Sequence, residues 1–223
     1  MKVLIGIDGS PGSQVAIQEG AALLSPQRDE VCLYYSAPTV RLGTGGSDKA
    51  LRQRAQEALA DAVFADARKQ LPAGLGERIK TIVGHQNPAH GLLVAADEWR
   101  ADLIVVGARG LGRLQRLLLG LVSSQGVQAA TIPVLVARGE KAESPDEAQR
   151  VLLCCDGSET SQHAAKFIEQ FDFPAGTTGC AITVVESVFG GEVPPWLEEQ
   201  ARESDEEAMA HVWAEEHEKQ RTV

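Results

Sequence analysis

Leu103-Ile104-Val105-Val106-Gly107 is an unbroken apolar run that stops on a glycine, and the segments on either side of it decide the fold. A strand apolar at every position has both faces covered, which is the pattern of a buried parallel sheet. Before it, Asn87 is an N-cap and Pro88 a first helical residue for a helix running to about Glu98. After it come a Gly-rich segment, a helix from about Gly120 to Ala130, and another nearly unbroken apolar strand, Ile132–Ala137. Toward the N-terminus, Arg78–Val83 reads as a strand. Residues 48–70 place Leu51, Ala55, Ala58, Leu59, Ala62 and Ala65 at spacings of three and four, an amphipathic helix with these residues inward. Residues 37–47 are a loop, Val31–Ser36 a strand and residues 12–24 a helix. Lys2–Ile7 is a first strand ending in the turn Asp8-Gly9-Ser10. Strands alternating with helices of this length require right-handed crossovers, so residues 1–138 form one doubly wound α/β domain on a five-stranded parallel sheet.

The whole chain has 223 residues, 43% of them hydrophobic and 23% charged, which is globular composition and excludes wholesale disorder. No apolar run approaches the roughly 18–20 residues of a membrane span. The first apolar run is broken at Asp8, too early for the core of an export signal, so we expect a cytoplasmic protein with no membrane partner. Charge is uneven: residues 1–138 carry 15 basic and 12 acidic side chains, residues 139–223 carry 6 and 19, and the nets of +3 and −13 sum to −10. So acidic a second part repels phosphate backbones and disfavours nucleic acid as a partner. Cys32, Cys154, Cys155 and Cys180 have no metal-ligand spacing and are expected as buried, reduced thiols on strands. His85 with His90, and His211 with His217, are not spaced to share a metal.

The chain repeats itself at an offset of 148 residues. Val3, Leu4, Asp8, Gly9, Ser10, Ser13, Gln14 and Ala16 recur as Val151, Leu152, Asp156, Gly157, Ser158, Ser161, Gln162 and Ala164, eight identities in fourteen positions. Chance would give roughly one. Cys32 falls on Cys180 at the same offset. Residues 139–149 are then a linker, and residues 150–223 a partial second copy with strands at Val151–Cys155 and Ala181–Val185 and an acidic helix over about 195–220.

The chemistry concentrates between Gly107 and Ser124. A Walker A loop fails there because Gly107 and Gly112 are followed by Arg113 and Leu114, and a dinucleotide fingerprint fails at Gln115. Gly107 nevertheless ends a strand, where backbone N–H groups can approach a ligand closely. Gly120 opens a helix whose free N–H groups and positive dipole end attract an anion. Ser123 and Ser124 add hydroxyls, and Arg109, Arg113 and Arg116 make the loop cationic. The alternative is a plain strand–helix connection with solvated arginines, and the residues alone leave the two open.

The spacing Gly107-x-x-Gly110, then nine intervening residues and Gly120, resembles the universal stress protein family. So do Ile7-Asp8-Gly9-Ser10, the run from Asp102 to Gly110, Gly84-His85-Gln86-Asn87-Pro88, and Ile132-Pro133-Val134-Leu135-Val136. The resemblance covers residues 1–138 in full and 150–223 as an N-terminal half-copy. It implies a Rossmann-like sheet of the adenine nucleotide alpha hydrolase type, a cytoplasmic homodimer, and a stress-response regulator that binds ATP, with Mg²⁺ accompanying the phosphates. By position, Asp8 would meet the ribose, and Gly6, Ile7 and Ser36 the adenine. Val106, Gly107, Arg109, Gly110, Gly120, Leu121, Val122 and Ser123 would surround the phosphates. Leu121 departs from the family pattern, which has Ser or Thr there. No residue is assigned as catalytic, and any hydrolysis would be slow. The competing functions are a ligand-free adaptor acting through its dimer surface and a slow ATPase. The last strand, Ile132–Ala137, is expected at a sheet edge, where it would pair two copies.

Overall fold

The computed structural model describes residues 1–38, 49–108, 121–139 and 148–183. Most of the expected loop at 37–47, the glycine- and arginine-rich loop and the acidic helix over 195–220 therefore lie outside the described residues. The described chain falls into two compact units, Met1–Gln149 with Gln170–Thr178, and Arg150–Glu169 with residues from Gly179 onward.

The first unit is built from β1 (Lys2–Ile7), α1 (Pro11–Ala22), β2 (Glu30–Ser36), α2 (Lys49–Gln70), β3 (Ile79–Gly84), α3 (Pro88–Trp99), β4 (Leu103–Gly107), α4 (Leu121–Ala129) and β5 (Val134–Ala137). A short 3-10 stretch, Ala73–Arg78, precedes β3. The five strands are all parallel, in the order β3-β2-β1-β4-β5, as the alternation of strands and helices requires. Central β1 explains the burial. Val3, Leu4 and Ile5 have no exposed surface, because successive side chains point to opposite faces and both faces are covered. On one face Ile5 and Val105 meet α1, which approaches closely at Gly20, where a Cβ would stand 3.3 Å from Ile5 Cδ1. On the other, Leu4, Cys32, Tyr34, Ile104 and Val106 pack on Leu92, Ala95 and Ala96 of α3.

The start of α3 follows its sequence signal, and α1 is capped in the same way. Ser10 caps α1 and accepts from the Ser13 N–H, while Asn87 Oδ1 caps α3 and accepts from the Ala89 N–H at 3.1 Å. Asp29, fully buried, accepts from the Met1 ammonium at 2.7 Å and the Ser25 N–H at 2.8 Å, which fixes the entry to β2.

Two expectations need correction. In α2 the inward stripe is Ala60, Phe64 and Ala67, while Leu51 is 51% and Leu59 43% exposed. The helix is rich in alanine, so several stripes satisfy the period, and the position of Phe64 decides between them. Phe64 meets the Tyr35 ring edge-on at 6.2 Å. The cysteines are all free thiols, but of the four only Cys32 is buried, and Cys154 and Cys180 are exposed. Burial pushes the Cys32 thiol up to about 11 against the opposing charge of Lys80, its neighbour in the β2–β3 register.

The second unit contains β6 (Arg150–Cys155), α5 (Glu159–Ile168) and β7 (Thr178–Thr183), with β6 and β7 paired. Its strands carry apolar residues, yet Leu152 is 60% and Ile182 44% exposed.

The face of α2 is directly testable by urea unfolding. Phe64→Ala should cost about 3–4 kcal/mol, whereas Leu59→Ala should change stability by no more than about 0.5 kcal/mol. Equal effects would return the helix to the stripe read from its periodicity.

Candidate functional site

The strand order contains a reversal. From β1 the chain steps outward through β2 to β3, then crosses β1 to form β4 and β5 on the other side. The helices following β1 and β4 therefore leave in opposite directions, which opens a crevice at the carboxyl ends of these two strands. Into that edge the fold brings Gly6 and Ile7 of β1 with Asp8 beyond them, Ser36 at the end of β2, Val106 and Gly107 of β4, and Leu121, Val122 and Ser123 in the first turn of α4. In the register, Gly6 lies between Tyr34 and Val106, and Ile7 opposite Tyr35. Arg109, Gly110 and Gly120 lie outside the described residues.

Among the described residues, Asp8, Ser36 and Ser123 each have a local task at this edge. Asp8 Oδ1 accepts from the Ser10 N–H at 2.9 Å and closes the turn into α1, with Gly9 at φ 76° where a side chain would be strained. The Ser36 hydroxyl donates to the Gln86 carbonyl at 3.2 Å, and the Ala37 N–H donates to the Gly84 carbonyl at 2.8 Å, so the exit of β2 is tied to the β3–α3 turn. Ser123 is buried and donates its hydroxyl to the Ala108 carbonyl at 3.3 Å, anchoring α4 to the end of β4. A Cβ on Gly6 would sit 3.3 Å from both Leu92 Cδ1 and Val106 Cγ1, so its missing side chain makes room for the core.

Tyr35 belongs to this edge and was not anticipated. It is 4% exposed, and burial first, then the negative charge of Asp8, pushes its phenol above the ordinary range. The signal was its place directly before Ser36; the strand register that sets Tyr35 opposite Ile7 is invisible in one sequence. A cavity of about 630 Å³ elsewhere in the unit is lined by Ala101, Asp102, Thr131 and Ile132 among others. These residues precede β4 and β5, so that cavity opens at the opposite ends of the strands.

An open parallel sheet in this order, with a reversal beside its central strand and a helix start at the same edge, defines a Rossmann-like α/β protein. The chain belongs to the universal stress protein family: the sequence model of that family matches residues 1–138. It is 30% identical over 207 residues to a universal stress protein of Mycolicibacterium smegmatis, covering 89% of this chain and 69% of that one. Among solved structures, a universal stress protein from Archaeoglobus fulgidus matches with a TM-score of 0.60 at 19% identity, over 83% of this chain and 68% of that one. A universal stress protein solved in complex with cAMP matches at 23% identity and a TM-score of 0.49, over 62% of this chain and 97% of that one.

The turn that holds Asp8 occurs twice. After β6, Asp156 Oδ1 accepts from the Ser158 N–H at 3.0 Å, and Gly157 has φ 79°. The Ser158 hydroxyl accepts from the Ser161 N–H at 3.2 Å, the same distance as the Ser10–Ser13 pair. The Ser158 hydroxyl also donates to Asp156 Oδ1 at 2.6 Å, and with the Ser158 N–H it holds the carboxyl well below its ordinary value, at about 2. A depressed carboxyl stabilises the folded turn above its ordinary value and loses that effect as pH falls through about 2. Carboxyl titration by NMR should show Asp156 with a midpoint near 2, and Ser158→Ala should move it back toward the ordinary range. An unmoved midpoint would mean that the hydroxyl does not set it.

Proposed function

We propose that residues 1–138 bind an adenine nucleotide, ATP, in the crevice between the carboxyl ends of β1 and β4, and that the protein is a stress-response regulator whose occupancy sets its conformation or its partners. The observation that carries this reading is the reversal of strand order beside β1, with the first turn of α4 at the same edge. In the proposal Asp8 meets the ribose, Gly6, Ile7 and Ser36 border the base, and Val106, Gly107, Arg109, Gly110, Gly120, Leu121, Val122 and Ser123 hold the phosphates. A helix of nine residues presents free N–H groups to such an anion. Because the Ser123 hydroxyl already serves Ala108, its contribution is the backbone N–H. Mg²⁺ belongs to the proposal only as the companion of the triphosphate. No side chain is assigned to catalysis.

Leu121 replaces a hydroxyl at the phosphate end, which favours a ligand-free adaptor as the second reading. Nucleotide retained through purification would decide between them.

The same proposal makes residues 139–149 a linker and residues 150–223 a partial second domain. The eight identities and the duplicated Asp-Gly-Ser turn support it. It places the protein in the cytoplasm; among the described residues no helix is long and apolar enough to cross a membrane. It also makes the protein a homodimer through β5. That strand lies at the sheet edge with Val134, Leu135 and Val136 only partly buried, and an apolar edge is a template for pairing.

Calorimetry should show ATP binding with a Kd on the order of micromolar. Gly110→Val should abolish it by placing a side chain where phosphate must approach. Equal affinities for the two proteins would overturn the loop assignment. Sedimentation at roughly tens of micromolar should show a dimer, and a monomer would remove β5 from the proposal.

A further inference from the structure

Tyr34 lies in β2 and is 3% exposed, yet its hydroxyl has no hydrogen-bond partner. Burial pushes its phenol above the ordinary range. The Ser36 hydroxyl, two residues on along the same face, opposes that push but completes no bond in this geometry. A buried hydroxyl left unpaired is costly, so the side chain must accomplish something that Phe would not.

Two glycines show what that is. A Cβ on Gly84, the last residue of β3, or on Gly91, near the start of α3, would fall on the Tyr34 hydroxyl itself. The hydroxyl therefore fills the gap between a strand end and a helix start that side chains would otherwise fill. Gly91 is the more telling of the two, because glycine inside a helix is less stable than alanine and needs a reason to be there. The same short turn holds both main-chain acceptors that fix the exit of β2: the Gln86 carbonyl receives the Ser36 hydroxyl, and the Gly84 carbonyl receives the Ala37 N–H.

We infer that Tyr34 is a positioning residue for the base side of the nucleotide site. Its hydroxyl, wedged between Gly84 and Gly91, sets the β3–α3 turn, and that turn holds Ser36 through the Gln86 carbonyl. Tyr34 touches no ligand; it acts through Ser36. The inference rests on the nucleotide reading above, and the wedge itself stands on geometry alone.

The test is a cycle of Gly91→Ala and Tyr34→Phe in the full chain, read by Tm and by affinity for ATP and for inorganic tripolyphosphate. With Tyr34 present, the new methyl group meets the hydroxyl. The Tm should fall and ATP affinity should drop about tenfold or more, while tripolyphosphate, which uses only the phosphate end, should bind unchanged. With Phe at position 34 the nearest remaining ring atom is Cζ at 3.3 Å, which needs to yield by only a few tenths of an ångström. In that background Gly91→Ala should raise the Tm above that of Tyr34→Phe alone and return ATP affinity to within about twofold of wild type. A Tm loss of the same size in both backgrounds overturns the wedge. A Tm loss without any change in ATP affinity overturns the positioning role. A wild-type protein that binds neither probe overturns the nucleotide reading and the positioning role with it, while the Tm cycle still decides the wedge.

Discussion

The burial of β1 on both faces is the constraint from which the rest of the first unit follows. Its Val3, Leu4 and Ile5 have no contact with water, and a parallel strand can reach that state only if crossovers lay helices on both sides of the sheet. Helix α1 covers the side of Ile5, and α3 the side of Leu4. Helices on both faces require the chain to grow outward from β1 in two directions, so the reversal and its crevice necessarily adjoin β1. The site is thus a consequence of how the core is closed. Asp8 is at the crevice because it is the first residue after the central strand.

Crowding at that edge is managed by exchanging volume between neighbours. Gly6 has no side chain, and Leu92 and Val106 stand 3.3 Å from where its Cβ would be. Gly84 and Gly91 have none, and the Tyr34 hydroxyl takes their space. Close packing forbids both partners of such a contact from being large, so each glycine is tied to specific bulky side chains on other elements. These glycines accordingly report on tertiary contacts, whereas Gly9, at φ 76°, reports on its own turn. Both kinds lie within a few residues of the crevice, where strand ends and helix starts converge.

Most strands were legible from their apolar runs, and α3 because Asn87 and Pro88 are local signals, the hydrogen bonds of Asn87 reaching only two and three residues. The strand alternation likewise made the parallel architecture readable. The face of α2 was not legible. Its alanines fit more than one helical stripe, and the choice was made by Phe64 meeting Tyr35 across the fold. Tyr34 and Tyr35 escaped notice for a related reason: their significance lies in Gly84, Gly91 and Asp8, which only the strand register brings near them. Family resemblance supplied the candidate phosphate residues, but not the engagement of the Ser123 hydroxyl with Ala108.

The duplicated segments separate what a short sequence encodes from what its surroundings provide. Asp8-Gly9-Ser10 and Asp156-Gly157-Ser158 form the same turn, with carboxylate-to-amide distances of 2.9 and 3.0 Å and glycine φ angles of 76° and 79°. The turn needs only its own residues, so it is rebuilt wherever they occur. Burial behaves otherwise. Leu4 has no exposed surface while Leu152 is 60% exposed, and Cys32 is buried while Cys180 is exposed, although each pair occupies equivalent positions in the repeat. In the first unit that face of the sheet lies under Leu92, Ala95 and Ala96, contributed by a helix more than fifty residues further along the chain. An apolar strand therefore specifies a demand for cover, and elements distant in sequence determine whether the demand is met. The raised thiol of Cys32 depends on the same condition, since its cause is desolvation rather than anything in the strand itself.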